Sequence, residues 1–491
     1  MKGLLVEVAR LRQDEDIGGV TRLIREQIRR PRGLSRGDRL VLARAARWAR
    51  VPELALSLLV RQVRGAGAAR STEAERAEYA IVLTAIGRTG EALPLFDTVD
   101  LVHNQEAFEG WVLAKFRRWE WAATIPLIEK RLSQPFAERK KELSTRYFLG
   151  RALLHGLEET GAARKLFDEL IPQFDDDQSF RVEAIHAQAY QYMIAGRPAE
   201  AKKCIQPLEA FMRENPDHIL AIGQREVHAF ADIYADPRSA AARRAVEKVA
   251  AEWSDRKRWY RLRYCDYHAG AATGRREYWL KLYFGTPLEA ARERFRLQIL
   301  KTGPVPATYS WRPSGGGPER ELLDLQTGRD SKGDQRLRAG QTPLRTVHAL
   351  AADLYEPPNL AVLHERVFPG EIFNPDSAPG RVHHAVWRTR QALEKTGLEM
   401  EILEDGAEYF LKPPDGLALQ IEVVGPTQEM SHASLIRSRW PTGSFSASQF
   451  GAALQSPLRT ASRWLKDLIE SNEIEQLGKG PATRYRLKSR Q

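Results

Sequence analysis

The sequence predicts a mainly α chain: a long N-terminal region of stacked helical hairpins, then two small α+β units. Three observations carry that reading. A Gly-Arg-x-x-Glu-Ala frame recurs in "IGRTGEALPLF" (86–96) and "IAGRPAEAKKCI" (194–205). A Pro-, Gly- and Ser-rich stretch, "TGPVPATYSWRPSGGGPE", occupies 302–319 and is expected to hold no regular element, so it divides the chain. Two later stretches, 320–415 and 431–491, each read as a run of helices closed by a β-hairpin, with a strand-bearing connector at 416–430 between them.

Within residues 1–301 the two frames place Gly87 and Gly196 109 residues apart, close to three units of about 36. Weaker copies stand at "VPELALSLLV" (51–60), "WEWAATIPLIEK" (119–130) and "ETGAARKLFDEL" (159–170). The small residues Ala55, Ala92, Ala123, Ala163 and Ala201 step by 37, 31, 40 and 38. Glycine tolerates the left-handed turn that ends one helix, and a small residue early in the next lets the pair approach closely. Each hairpin has an apolar side that it cannot bury alone, so neighbours stack. Over roughly residues 38–235 this pattern resembles the tetratricopeptide family. The resemblance implies an α-solenoid whose groove receives a protein or peptide partner, with self-association as a homodimer left open. The plainer alternative is an irregular helical domain without a groove.

The stretch "RKRWYRLRYCDYHAGAATGRREYWLKLYFGTPLEAARERFRLQILK" (256–301) holds 12 Lys/Arg against 4 acids, with Trp259, Tyr260, Tyr264, Tyr267, Tyr278, Trp279, Tyr283 and Phe284 interleaved. Such a mixture could neutralise phosphates and stack on bases. The helical spacing of 260, 264 and 267, and of 279 and 283, favours instead aromatics packed between helices.

After the break, "TPLRTVHALAADLY" (342–355), "NLAVLHERVF" (359–368) and "PGRVHHAVWRTRQALEKTG" (379–397) read as helices. Thr342 and Asn359 are expected as caps. Short strands are expected at 321–328 and 335–341, and a hairpin at 398–413 around Asp405-Gly406. Strand pair, three helices and hairpin is the order of the OmpR/PhoB-type effector domain, a winged helix-turn-helix, and this region resembles it. Val382, Val386, Arg388, Arg390 and Leu393 carry the likeness in the third helix. Gly406, Tyr409 and Leu411 carry it in the hairpin. Val382, Val386, Thr389 and Leu393 share a face that is expected to be core. Arg381, His384, Trp387, Arg388, Gln391 and Lys395 lie opposite, and the resemblance implies that they face the major groove. Glu404, Asp405 and Glu408 depart from the family, because carboxylates repel phosphates. The domain therefore binds DNA through its helix alone or has become a protein-contact module.

In the last region, "SHASLIRSRW" (431–440), "SASQFGAAL" (446–454) and "SPLRTASRWLKDLIESN" (456–472) read as helices, with Ser446 and Ser456 as caps. "EIEQLG" and "TRYRLK" follow as two strands. The run Thr460-Ala461-Ser462-Arg463-x-Leu465 and the tip Gly478-Lys479-Gly480-x-x-Thr483-x-Tyr485 resemble a compact bacterial winged helix-turn-helix. Leu458, Ala461, Leu465, Leu468 and Ile469 share the inner side. Arg459, Thr460, Arg463 and Asp467 face away with Lys466 on the flank, and Arg484, Arg486 and Lys488 project from the second strand by period two. Lys479 and Thr483 sit at the tip. The resemblance implies a helix in the major groove and a basic wing on an adjacent backbone. The alternative is a winged helix used only for protein contacts.

Charge agrees with a polyanion partner. The chain is +11 overall. Residues 321–415 hold 11 Lys/Arg and 16 Asp/Glu, and residues 431–491 hold 10 and 4, so an acidic middle lies between basic ends. There is no apolar run of membrane-spanning length, and "MKGLLVEVARLRQ" has no secretory h-region. Cys204 and Cys265 fit a reducing compartment. No Walker loop, paired-cysteine zinc frame or H-E-x-x-H motif is found, and no nucleophile elbow is expected. The expectation is a cytoplasmic bacterial regulator of transcription that binds double-stranded DNA, without cofactor, metal or catalysis. Its rivals are a protein-interaction scaffold and a DNA-binding accessory factor of a DNA-processing or defence system.

Overall fold

The structure is a computed structural model. It describes residues 2–14, 16–29, 34–65, 71–157, 160–174, 178–214, 219–312, 321–422, 436, 444–453, 458–470, 474–478, 480 and 483–488. The protein is mainly helical, and among the described residues the small sheets all lie after residue 307. Among the described residues no helix is long and apolar enough to cross a membrane.

From Lys2 to Leu300 the described chain is a succession of helices. Each packs on its sequence neighbours, and every second one also meets the next but one. Arg36–Trp48, Glu73–Ala85, Gln105–Arg117, Arg139–Ala152, Gln178–Ile194, Ile219–Ala235 and Tyr260–Thr273 thereby form one continuous row. Two hydrogen bonds along that row repeat at one spacing: Tyr147 donates to Glu183 (2.9 Å) and Tyr190 to Glu226 (2.6 Å), each across 36 residues.

One helix-ending turn recurs five times among the described residues. Arg50, Gly87, Trp119, Gly196 and Lys257 are left-handed, with φ from 54° to 86°. The N–H of the following residue reaches the carbonyl five positions back, Val51 to Ala46, Arg88 to Leu83, Glu120 to Lys115, Arg197 to Tyr192 and Arg258 to Trp253, at 2.8–3.0 Å. These are Schellman caps. Three of the five use a residue with a Cβ, at a local cost of roughly 1–2 kcal/mol each, so glycine alone under-reports the repeat. Ala55, Ala92, Ala163 and Ala201 are fully buried as expected. Ala123 is not: it is exposed, and Thr124 takes the buried place. Read through Thr124 the steps become 37, 32, 39 and 38.

The aromatics of 256–301 mostly sit between helices. Tyr267, Trp279 and Phe284 are buried, and Trp119 stacks on Tyr264 at 5.5 Å. Tyr260 is exposed.

The middle region corrects the expected strands. Part of the stretch read as structureless, Thr308–Trp311, is strand β1, and Glu321–Asp324 is β2. The 335–341 segment is no strand; only Gln335 makes an isolated bridge, to Arg329. The hairpin strands are β3 (Glu401–Asp405) and β4 (Glu408–Lys412). The strand in the connector, β5 (Leu417–Glu422), lies between β1 and β2, antiparallel to the first and parallel to the second. Residues from both sides of this region thus close one sheet.

The three helices are Thr342–Ala351, Leu360–Val367 and Ala378–Thr396. Asn359 caps the second through Val362 N at 2.9 Å. Thr342 is not a cap: it already lies inside the first helix, and Gln341 before it makes no capping bond. Gly397 ends the third helix at φ 68°. Val382, Val386, Thr389 and Leu393 are buried, as periodicity required.

In the C-terminal region the helix Ala447–Ala453 is capped reciprocally, with Gln449 N donating to Ser446 Oγ (3.2 Å) and Ser446 N to Gln449 Oε1 (2.9 Å). The helix Leu458–Glu470 follows, then β6 (Ile474–Leu477) and β7 (Arg484–Leu487), paired antiparallel. Of 431–440 only Ile436 is among the described residues, and it is fully buried; Ser456 lies outside them.

Candidate nucleic-acid interface

In the middle unit the whole expected face of Ala378–Thr396 is solvent-accessible. Arg381, His384, Trp387, Arg388, Gln391 and Lys395 are all exposed, and Trp387, at 58%, is the most exposed tryptophan among the described residues. His384 stacks on Trp387 with centroids 5.9 Å apart. The Arg381 guanidinium lies 4.2 Å over the Phe368 ring. A shallow cleft between the first and third helices is lined by Thr342, Phe368, Arg381, His384, Ala385 and Arg388. Its rim carries two arginines beside a helix start with no side-chain cap, which suits an anionic oxygen.

The acidic hairpin next to this helix does not stand free. Lys257 Nζ lies 2.9 Å from Asp405 Oδ2, and Trp259 Nε1 donates to Glu408 Oε1 at 2.9 Å. Trp259 also meets Phe410 edge-on at 5.6 Å. The hairpin is therefore docked on the end of the helical array. Deeper in the same contact, Arg263 donates through Nη2 to both carboxylate oxygens of Asp353 at 2.7 and 2.8 Å, and both side chains are nearly sealed from water. Arg263 was one of the cations in the basic segment that could have met phosphate. It is instead committed to a buried ion pair.

In the C-terminal unit Arg459, Arg463 and Lys466 are exposed on Leu458–Glu470, with Ala461, Leu465 and Leu468 buried behind them. Two inner positions differ from expectation. Leu458 is 57% exposed because it begins the helix beyond its packed turns, and Trp464, which the sequence reading left unassigned, is buried. Arg484, Arg486 and Lys488 are exposed along β7, while Tyr485 and Leu487 pack inward. Thr483 turns its hydroxyl onto Gly480 O at 2.7 Å, which tightens the hairpin end. Lys479 and the side chain of Thr460 lie outside the described residues. A contact that the sequence did not signal adds Phe445 to this hairpin, through paired backbone bonds to Tyr485 at 2.8 and 3.0 Å.

The cations of the C-terminal hairpin are not equivalent. Arg486 pairs with Glu475 on the facing strand at 2.5 Å, whereas Arg484 donates to the neutral Gln449 at 3.2 Å. Arg381 and Arg463, from different units, meet one carboxylate, Glu371. Partial burial works to raise the Glu371 carboxyl, but the Arg381 hydrogen bond and the two arginine charges outweigh it and hold it below the usual range. Glu371 carries no recognisable sequence signal: it sits in a loop, in "PGEIF".

One motif in the helical array is matched only in spacing. "GLSRG" (33–37) fits the nucleophile-elbow pattern, but Ser35 is the N-cap of Arg36–Trp48 in a capping box with Asp38, and its hydroxyl donates to Asp38 Oδ2 at 2.6 Å. Among the described residues no group of three His, Cys, Asp or Glu is arranged to hold a metal. No family model matches the chain, and no curated protein matches it.

Proposed function

We propose that the chain is a DNA-binding transcriptional regulator. In this reading the row of helical hairpins is a tetratricopeptide-like α-solenoid that receives a protein or peptide partner or a second copy. The middle and C-terminal units are winged helix-turn-helix domains. The observation that supports this most is the C-terminal helix. One side is sealed by Ala461, Trp464, Leu465 and Leu468; the other exposes Arg459, Arg463 and Lys466 beside a strand exposing Arg484, Arg486 and Lys488. A helix of this width fits the major groove, and a cationic hairpin beside it reaches the backbone. Arginine supplies both phosphate attraction and, on guanine, discrimination. The cytoplasm is the compartment that goes with this role.

The middle unit's hairpin is a protein-contact element in this reading, since its carboxylates face Lys257 and Trp259. Its helix keeps the DNA role through Arg381, His384, Arg388, Gln391 and Lys395. The accessory-factor alternative loses one of its supports, because Arg263 is buried.

Selection of bound sequences from random duplex DNA would find the site. On that site the double replacement Arg459→Ala/Arg463→Ala should weaken binding by about 1–3 kcal/mol per base-contacting arginine. Circular dichroism should stay unchanged. Unaltered affinity in a gel-shift series would remove the assignment, and binding by neither form would favour the scaffold.

A further inference from the structure

Glu371 is placed between three parts of the molecule. Its two carboxylate oxygens are taken by Arg381, at the start of the middle unit's exposed helix, with one contact at 3.1 Å. Arg463 of the C-terminal helix approaches Oε1 to 3.6 Å. Both arginines stay largely open to water, at 44% and 59%, while Glu371 is only 20% exposed. Ile372, next to Glu371 in the chain, is half exposed, and the Arg381 guanidinium also lies 4.2 Å over the Phe368 ring.

The backbone of the same loop is moored in the helical array. Arg88, itself 3% exposed, donates to Glu371 O at 2.9 Å and pairs with Glu91 at 2.8 Å. Glu91 in turn accepts from Phe373 N at 3.2 Å, and the Phe373 ring is buried in the array's core. Arg88 directly follows the left-handed Gly87, where an added Cβ would fall 2.8 Å from Val362 of the middle unit. Arg88, Glu91 and Phe373 thus tie the loop to the array at this turn.

We propose that Glu371 is a built-in brake. Its carboxylate stands where a DNA phosphate would bind, and holds Arg381 and Arg463 until a partner on the array moves the loop. The inference rests on the DNA-binding reading and adds its regulation. A carboxylate and a phosphate oxygen compete for the same guanidinium donors, so the chain at rest binds DNA below its full strength. The Arg463 contact is long and solvated, so the brake is weak enough to release.

The test is Glu371→Gln in the full chain, which keeps the shape and removes the charge. Affinity for duplex DNA should rise roughly 3- to 10-fold, as expected for freeing exposed ion pairs. The slope of log affinity against log salt should steepen by up to about two, one for each cation released to phosphate. Phe373→Ala, which unmoors the loop without touching the carboxylate, should raise affinity in the same direction. Wild-type binding with no gain in Glu371→Gln overturns the brake and leaves the DNA reading intact. A gain in Glu371→Gln but none in Phe373→Ala, with that variant still folded by circular dichroism, overturns the link to the array. If neither wild type nor Glu371→Gln binds duplex DNA, the DNA reading itself falls. A silent wild type beside a binding Glu371→Gln is the strongest support.

Discussion

The middle and C-terminal units share an order of elements, a long amphipathic helix followed by a two-stranded hairpin, yet the hairpins serve opposite ends. That of the middle unit is acidic and lies against Lys257 and Trp259 of the array. That of the C-terminal unit is basic, and its outward side chains remain in solvent. The comparison teaches that the charge of each hairpin follows what it touches. The acidic hairpin and the basic aromatic stretch, two anomalies when read separately in the sequence, are the two sides of one contact.

The contrast extends to stability. The array and middle unit bury histidines that the described C-terminal unit does not have. Burial pulls His186 and His268 down to about 3; His364 falls to about 4, from burial first and then the Arg88 charge. All three are nearly inaccessible. Unfolded histidines take up protons below about pH 6.5, while these folded ones do not. The stabilisation is therefore present above about pH 6.5 and is lost progressively as pH falls through about 4 for His364 and towards about 3 for His186 and His268, with a total on the order of several kcal/mol. Urea melts at pH 7 and pH 5 should show a large drop in midpoint. Hydrogen exchange should accelerate in peptides from 178–273 and 342–396 more than in 458–470. Equal acceleration in all three would erase this difference between the units.

Next in size is the buried Arg263–Asp353 pair. Arg263→Ala removes the bidentate partner of Asp353 and leaves it only Arg366 at 3.9 Å and the N–H groups of Tyr355 and Glu356 at 3.0 and 3.1 Å. The cost should be about 3–5 kcal/mol, seen as early proteolysis at the junction of array and middle unit. Arg263→Met with Asp353→Leu should recover much of that, because an apolar pair of similar volume avoids the uncompensated charge. Failure of the double variant to exceed the single one would mean that the pair does more than seal the contact.

Much of this was legible in the sequence, and the exceptions have physical causes. Asn359, Gly397, Gly87 and Gly196 announced helix ends, because a cap oxygen or a positive φ restricts residue choice locally. The inner face of Ala378–Thr396 followed from period alone. Strand β1 was missed because Tyr309 and Trp311 stand amid prolines and glycines, and its partner β5 lies more than a hundred residues away. Arg50, Trp119 and Lys257 hid three Schellman turns, since a side chain in the left-handed region gives no compositional mark. At the candidate site, single-residue exposure could be read from helical spacing, whereas Glu371 could not. Its role depends on how three parts of the molecule meet, and no periodicity encodes that.

The hairpins offer a direct way to break the comparison. Trp259→Phe removes one indole N–H and strands Glu408, which should cost about 1–2 kcal/mol and speed exchange in β3 and β4. Neutralising the carboxylates (Glu404→Gln, Asp405→Asn, Glu408→Gln) should loosen the same contact and change DNA affinity by less than about twofold, since exposed pairs are weak. A large gain in affinity would show that the hairpin faces the duplex instead.

On the proposed DNA-binding role, the smallest effect separates two neighbouring hairpin arginines. Arg484 rests on an uncharged amide, so a phosphate gains its full interaction. Arg486 is already paired with Glu475, so a phosphate must displace a carboxylate first. Arg484→Ala should therefore weaken binding more, and lower the salt slope by about 0.9, the value for one phosphate contact. Arg486→Ala should do less on both measures. Glu475→Gln should then bring the Arg486 contribution up towards that of Arg484, because the competing anion is gone while the strand pairing of Ile474 with Leu487 remains. Equal losses for the two arginines, with Glu475→Gln silent, would mean that the cross-strand pair opens at no cost and that charge pairing on this hairpin does not set DNA affinity.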